Sequence, residues 1–270
     1  MSGAGKVGGS IGAPVSLASS SAGVWRVEEI TTYRHENVWP GDPYWQETAL
    51  LLQESLVDKS RHGLTLTGGS GITLTPAAAK VGAYGFDMPT AVTNNQRVVL
   101  PTSSVLDINS QDFTFEGWFY SQPYSTWYGI VFSRNSSAVL SPSEAFGLVV
   151  GGPAYGGVVR LSWIESGSSN VLLGTTDVRN AWHHVAITRS GNDLRLFVDG
   201  VIEASIANAN TVATQLTLSG GHLFDAHGYY ANNTDNQYTG KADQIRLTVG
   251  VSRYNANFAA NLPVTLFPSH

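Results

Sequence analysis

Asp112 and Glu116 stand four residues apart in the run Asp112-Phe-Thr-Phe-Glu-Gly-Trp-Phe-Tyr120. Paired carboxylates carry out glycoside hydrolysis when they lie about 5–5.5 Å apart (retaining) or about 6.5–9.5 Å apart (inverting). On an extended strand a spacing of four puts both on one face, about 13 Å apart. That is too far for either mechanism, and solvated carboxylates near a strand edge are expected instead. Gly-x-Ser-x-Gly occurs only as Gly8-Gly-Ser-Ile-Gly12 in a Gly/Ala/Ser-rich stretch with no apolar strand before it, so it is no nucleophile elbow, and there is no His-Glu-x-x-His run, the signatures of α/β-hydrolases and zinc proteases. His183 and His184 are adjacent. Strand neighbours point to opposite faces, so the two do not chelate one metal and read as packing residues. The chain is expected not to be an enzyme.

Two segments have the residue types that hold sugars, namely aromatic faces for stacking and amides for hydroxyls. Gln122–Tyr128 contains Tyr124, Trp127 and Tyr128. His227–Tyr238 contains Tyr229, Tyr230, Asn232, Asn233 and Asp235. Tyr and Trp are also enriched in subunit interfaces. The interface assignment is preferred here, and the residue types fit both.

The elements that must position these residues are strands. Asp112–Tyr120 alternates, with Phe113, Phe115 and Phe119 on one face. Short strands over 129–134, 145–150 and 158–164 are bounded by Gly, Pro, Ser and Asn. Trp182–Arg189, Asp193–Val198 and Val201–Ile206 read as a three-stranded meander, its last turn made by Asp199-Gly200. Many short strands with regular turn signals predict a sandwich.

Composition agrees. Only 13% of the 270 residues are charged, against roughly 25% in a typical domain. Seven Trp, eleven Tyr and ten Phe exclude a disordered chain. The net charge of -5 and 15 scattered cations exclude a phosphate-binding groove, so nucleic acid is not an expected partner. No apolar run approaches the roughly 20 residues of a membrane helix, and a membrane partner is not expected either. Without cysteine there is no disulfide and no thiol chemistry.

Residues 1–24 are two-thirds Gly, Ala and Ser, 16 of 24, with no apolar core typical of a signal peptide. Such a segment reads as an extended arm, with Ile11, Val15 and Leu17 as its apolar anchors. Trp25, Val27, Ile30 and Tyr33 fall at the spacing of one side of a short helix, opposed by Thr31-Thr32 and ended before Pro40. Trp25, Tyr33 and Trp39 would dock this segment on the domain or on a partner. The expected organisation is an arm and docking segment over 1–47 and a β domain over 48–270.

Ala181-Trp-His-His-Val-Ala-Ile-Thr-Arg-Ser-Gly-Asn-Asp-Leu-Arg-Leu-Phe-Val-Asp-Gly200 resembles the core signature of laminin-G-like, concanavalin A-like jelly rolls. Asp112–Tyr120 is similar to that family's central strand and Gly240–Thr248 to its last strand. Leu50-Leu-Leu and Val57-Asp-Lys-Ser60 resemble its opening strand and turn. Val251–Phe258 is similar to a closing segment of bacteriophage versions, and Gly23–Arg26 with Val38–Pro40 to a virion-protein leader. The resemblance implies an all-β jelly-roll sandwich of two antiparallel sheets carrying an extended N-terminal arm and a short helix. It implies a virion protein that decorates a capsid or tail, with other virion proteins and copies of itself as partners. The alternative is a glycan-binding adhesin module of a tail or fibre, with a cell-surface glycan as partner. Related jelly rolls hold a structural Ca²⁺ where the first and last strands meet. Asp58 and Asp243 are the matching carboxylates, set against an assignment as a turn cap and an acceptor of backbone N–H groups.

Overall fold

The alternation of Phe113–Tyr120 becomes a central strand in the computed structural model, which describes residues 42–88, 97–122, 130–134, 146–152, 155–165, 168–207, 217–224 and 238–269. In chain order the strands are β1 (Thr48–Leu52), β2 (Thr67–Gly68), β3 (Thr73–Thr75), β4 (Gly85–Met88), β5 (Val98–Val99), β6 (Phe113–Ser121), β7 (Ile130–Arg134), β8 (Phe146–Val150), β9 (Val159–Glu165), β10 (Ser168–Leu173), β11 (Trp182–Ser190), β12 (Asp193–Val198), β13 (Val201–Ile206), β14 (His222–Leu223) and β15 (Gly240–Val249). Helix occurs among the described residues only as three-residue 3-10 turns such as Trp45–Glu47 and Pro76–Ala78. None of it is long and apolar enough to cross a membrane.

The larger sheet runs β13-β12-β11-β6-β15-β4-β3, with β1 added on β15. The smaller runs β10-β9-β8-β7-β14-β5-β2. All of these pairings are antiparallel, giving the expected sandwich. Phe113, Phe115 and Phe119 are fully buried on the inner face of β6. Phe115 meets Phe132 of the opposite sheet at 4.6 Å, ring edge to face, and Phe132 meets Phe146 at 4.9 Å. Each such burial stabilises by roughly 1.5–3 kcal/mol.

The meander forms in the expected register, with Val185 opposite Val198 and Val198 opposite Val201. Asp199 (φ 48°) and Gly200 (φ 73°) make its last turn. Asp tolerates the left-handed region and Gly enters it at no steric cost. A Cβ on Gly200 would lie 2.5 Å from the backbone nitrogen of Ala259. Gly200→Ala is therefore expected to destabilise by about 1–3 kcal/mol, read as a lower urea midpoint. An unchanged midpoint would show that this approach does not matter.

The outer face of the larger sheet is covered by the chain's own end. After β15, residues 251–267 fold back across it. Thr188 Oγ1 donates to the Tyr254 carbonyl (3.0 Å), and the Trp118 indole N–H donates to the Pro263 carbonyl (2.9 Å). Phe258 and Tyr254 stack at 3.7 Å and close a second, smaller core over Ala186 and Phe197. Residues 44–47, on the arm side of a boundary drawn at 47/48, pack with the sandwich. The Arg253 guanidinium lies 5.1 Å from the Tyr44 ring centre, and Thr48 Oγ1 donates to the Tyr44 carbonyl. Residues 1–41, with Ile11, Val15, Leu17, Trp25, Tyr33 and Trp39 and the span expected to form a short helix, lie outside the described residues.

Candidate functional site

Glu116 points to the outer face of β6 and is fully buried beneath the C-terminal strap. Its Oε1 accepts from Arg246 Nε (2.9 Å) and Nη2 (2.7 Å), and its Oε2 accepts from the Tyr254 hydroxyl (2.8 Å). His184 Nε2 is 3.3 Å from Oε2, and Arg253 Nε is 3.8 Å from Oε1. Burial alone would raise the pKa of this carboxyl. The charge of Arg246, helped by His184 and Arg253, outweighs it and holds Glu116 far below the usual carboxylate range. Burial and the neighbouring Glu116 charge push the Tyr254 phenol well above its ordinary value, so it stays protonated and remains a donor. Asp112 accepts from the Gly191 amide (2.7 Å). Glu116 is therefore not the solvated strand-edge group expected from the sequence but part of a sealed ion pair. Asp112, half-buried at the edge of β6, keeps to that expectation and caps a turn.

The two histidines part company. His184 is fully buried and packs as expected, with ring contacts to Trp118 (5.3 Å), Phe258 (5.8 Å) and Tyr254 (6.5 Å). His183 is not a packing residue. Its Nδ1 lies 2.7 Å from Asp199 Oδ2, while Asp199 Oδ1 accepts from the His184 amide (2.9 Å). Burial would raise the Asp199 pKa, but these hydrogen bonds bring it below its ordinary value. The pair ties the start of β11 to the Asp199-Gly200 turn.

Asp58 and Asp243 each sit in a cradle of donors. Asp58 Oδ1 accepts from the Leu51 and Ser60 amides (both 2.9 Å), and Oδ2 from the Leu64 amide and the Ser60 hydroxyl (both 2.8 Å). Asp243 Oδ2 accepts from the Lys80 and Val81 amides (both 2.8 Å), and Oδ1 from Gln244 Nε2 (3.2 Å). Burial raises the Asp243 pKa, and the Val81 amide and Gln244 act against it. N–H groups aimed at a carboxylate repel a cation, whereas calcium needs several converging oxygens. The pair does not fit Ca²⁺, and among the described residues no cluster of three His, Asp or Glu could hold a metal. EDTA is expected to leave the melting temperature unchanged; a fall of several degrees would restore the calcium site.

The sugar-type residues Tyr124, Trp127, Tyr128, Tyr229, Tyr230, Asn232 and Asn233 lie outside the described residues, but the ends of their segments do not. Ser121 at the end of β6 pairs with Gly240 at the start of β15, and the Gln122 amide donates to the Thr239 carbonyl (3.2 Å). Met88 at the end of β4 pairs with the same Gly240. The residues that lead into segment 123–129 and out of segment 225–237 are thus paired at Ser121 and Gly240, 119 positions apart along the chain.

At that end a row of side chains crosses the outer face of the larger sheet. Tyr120 stands opposite Trp182 on one neighbouring strand and opposite Lys241 on the other, and Lys241 stands opposite Asp87. The Tyr120 and Trp182 rings are 5.9 Å apart at 66°. Lys241 Nζ is 5.5 Å from the Tyr120 ring centre and donates to the Ala77 carbonyl (2.7 Å). All four side chains are half-buried, whereas Trp118, His184 and Asp243 in the adjoining row are sealed. Trp182 was legible in the sequence only as the first residue of a strand, without its partners. Tyr120 alternates out of the Phe113/Phe115/Phe119 face, the one signal that could have exposed it.

A family profile described as concanavalin A-like lectin/glucanases superfamily, of the laminin G type, matches residues 92–250. Curated protein sequences yield no match. Among solved structures, the binding domain of Paraclostridial mosquitocidal protein 1 is similar (TM-score 0.57, 12% identity, 76% of this chain, 49% of that one). So is the binding domain of botulinum neurotoxin DC in complex with SialylT (0.56, 12%, 76% and 48%). Domain 4 of AbnA, an extracellular arabinanase from Geobacillus stearothermophilus, in complex with arabinotriose, is matched over 94% of its length and 76% of this chain (0.54, 17%). The chain spans about half the length of the toxin binding domains.

Proposed function

The chain belongs to the concanavalin A-like lectin/glucanases superfamily, and from that membership we propose that it is a non-catalytic glycan-binding module. The observation that carries this reading is the Ser121–Gly240 pairing, which joins the strand end leading into one aromatic, amide-rich segment to the strand start that follows the other. Sugars are held by such aromatic faces flanked by amides. The saccharides named with two similar folds, SialylT and arabinotriose, support the same class of ligand. A hydrolase is disfavoured because Glu116 is locked to Arg246 and Asp112 to the Gly191 amide.

The full chain applied to a glycan array is expected to give specific binding, and incubation with the bound glycan is expected to release no product. Variants Trp127→Ala and Tyr229→Ala should weaken that binding. Silence across the array, combined with tight copurification with capsid or tail particles through residues 1–41, would overturn the reading in favour of virion decoration. Product release would overturn it in favour of an enzyme.

A further inference from the structure

We propose that Tyr120, Trp182 and Lys241 form a subsite for a neutral sugar ring on the outer face of the larger sheet, a step that rests on the glycan-binding reading. The row exists because four strands from distant parts of the chain pair in register, placing positions 182, 120, 241 and 87 side by side. Strand neighbours in register hold their side chains about 4.5–5.5 Å apart, a spacing a single sugar ring can bridge.

The two rings meet at 66° with centres 5.9 Å apart, so they form a corner rather than a flat stack. One ring can lie against the apolar face of a sugar while the other flanks its edge. Both carry a polar tip. The Trp182 indole N–H and the Tyr120 hydroxyl make no hydrogen bond among the described residues, and neither atom is buried. They are available to sugar hydroxyls. Lys241 adds an ammonium group held in place by the Ala77 carbonyl, and Asp87 adds a carboxylate across the strand.

The charges of Lys241 and Asp87 balance, which favours a neutral ring over a sialylated or sulfated one. The strap explains why this row and not the next is available. Pro263 seals Trp118, which is 4% exposed, while Tyr120 one pleat further on stays half-exposed. The patch is also small. Two half-buried rings fall well short of the about 800 Å² per partner of a stable protein interface, so a second copy of the chain is a poorer fit than a sugar.

The test uses the full chain with arabinotriose, maltotriose and N-acetyllactosamine as neutral probes and sialyllactose as the charged one, followed by ligand-observed NMR and titration calorimetry. At least one neutral probe is expected to bind. Trp182→Ala and Tyr120→Ala should each weaken it by about tenfold or more; Trp182→Phe should keep most of the affinity, and Lys241→Met should lose part of it. Melting curves close to wild type would show that the variants are folded. Binding that survives Trp182→Ala and Tyr120→Ala but is lost in Trp127→Ala or Tyr229→Ala overturns this subsite and leaves the glycan-binding reading standing. Binding of sialyllactose alone overturns the neutral class. No binding to any probe or array glycan overturns both. A wild-type dimer in sedimentation that Trp182→Ala converts to monomer assigns the row to self-association and overturns the subsite.

Discussion

Glu116→Gln is expected to destabilise the protein by about 3–5 kcal/mol, because it leaves Arg246 buried against a neutral amide. For a domain of this size that is a fall in melting temperature on the order of 10 °C. The Arg246 guanidinium is sandwiched between Glu116 and the Phe267 ring, whose centre is 3.7 Å away, so it is nearly cut off from water. The pH dependence has a definite sign. Burial opposes ionisation of Glu116, but Arg246, His184 and Arg253 depress its folded pKa far below the unfolded value of about 4.3. A depressed carboxylate contributes stability that is fully present above the unfolded pKa and lost as pH falls below it. Wild type should therefore lose stability progressively below about pH 4, and the Gln variant should lose less over the same range. The double variant Glu116→Leu, Arg246→Met should recover part of the loss, since removing both charges leaves neither unpaired. Parallel acid-denaturation curves for wild type and Glu116→Gln would refute the assignment.

Removal of residues 253–270 is expected to be more damaging. It strips the outer face of Tyr254, Phe258 and Phe267 and uncovers Phe197, Ala186 and Trp118. Each lost aromatic is worth roughly 1.5–3 kcal/mol, and the Glu116 cluster loses Tyr254 and Arg253 as well. The sum is comparable with the whole stability of a typical domain, about 5–15 kcal/mol. The truncated chain should be insoluble, or soluble with strong binding of a hydrophobic dye. Phe258→Ala is the milder companion. It should stay folded and lose about 3–5 kcal/mol, the usual range for a buried Phe. A truncated chain that melts with the full one would show that the strap is ornamental.

The sandwich was legible because its signal is local. Alternation in Asp112–Tyr120 assigns Phe113, Phe115 and Phe119 to one face whatever lies around them. Asp199-Gly200 demands a tight turn from its own backbone preferences, and the meander follows at its expected bounds. The inventory of sugar-type residues could be read in the same way, from composition and order alone.

The other face of the same strand was not legible. Thr114, Glu116 and Trp118 alternate with the core residues and look like a solvated side. They are buried only because a segment after β15 crosses them. Glu116 and Arg246 are 130 positions apart, and a charge carries no mark in its own neighbourhood of whether a partner will reach it. For Asp58 and Asp243 the assignment as a turn cap and an acceptor of backbone N–H groups was open from the sequence beside the calcium that the resemblance implied, but which amides reach them, those of Leu51, Leu64, Lys80 and Val81, was not. The row of Trp182, Tyr120, Lys241 and Asp87 likewise exists only in the register of four strands. Periodicity decides which residues share a face, because that depends on bond geometry within a few positions. Which faces are sealed, which charges meet and which aromatics stay open depend on contacts between distant parts of the chain, and only tertiary packing decides them.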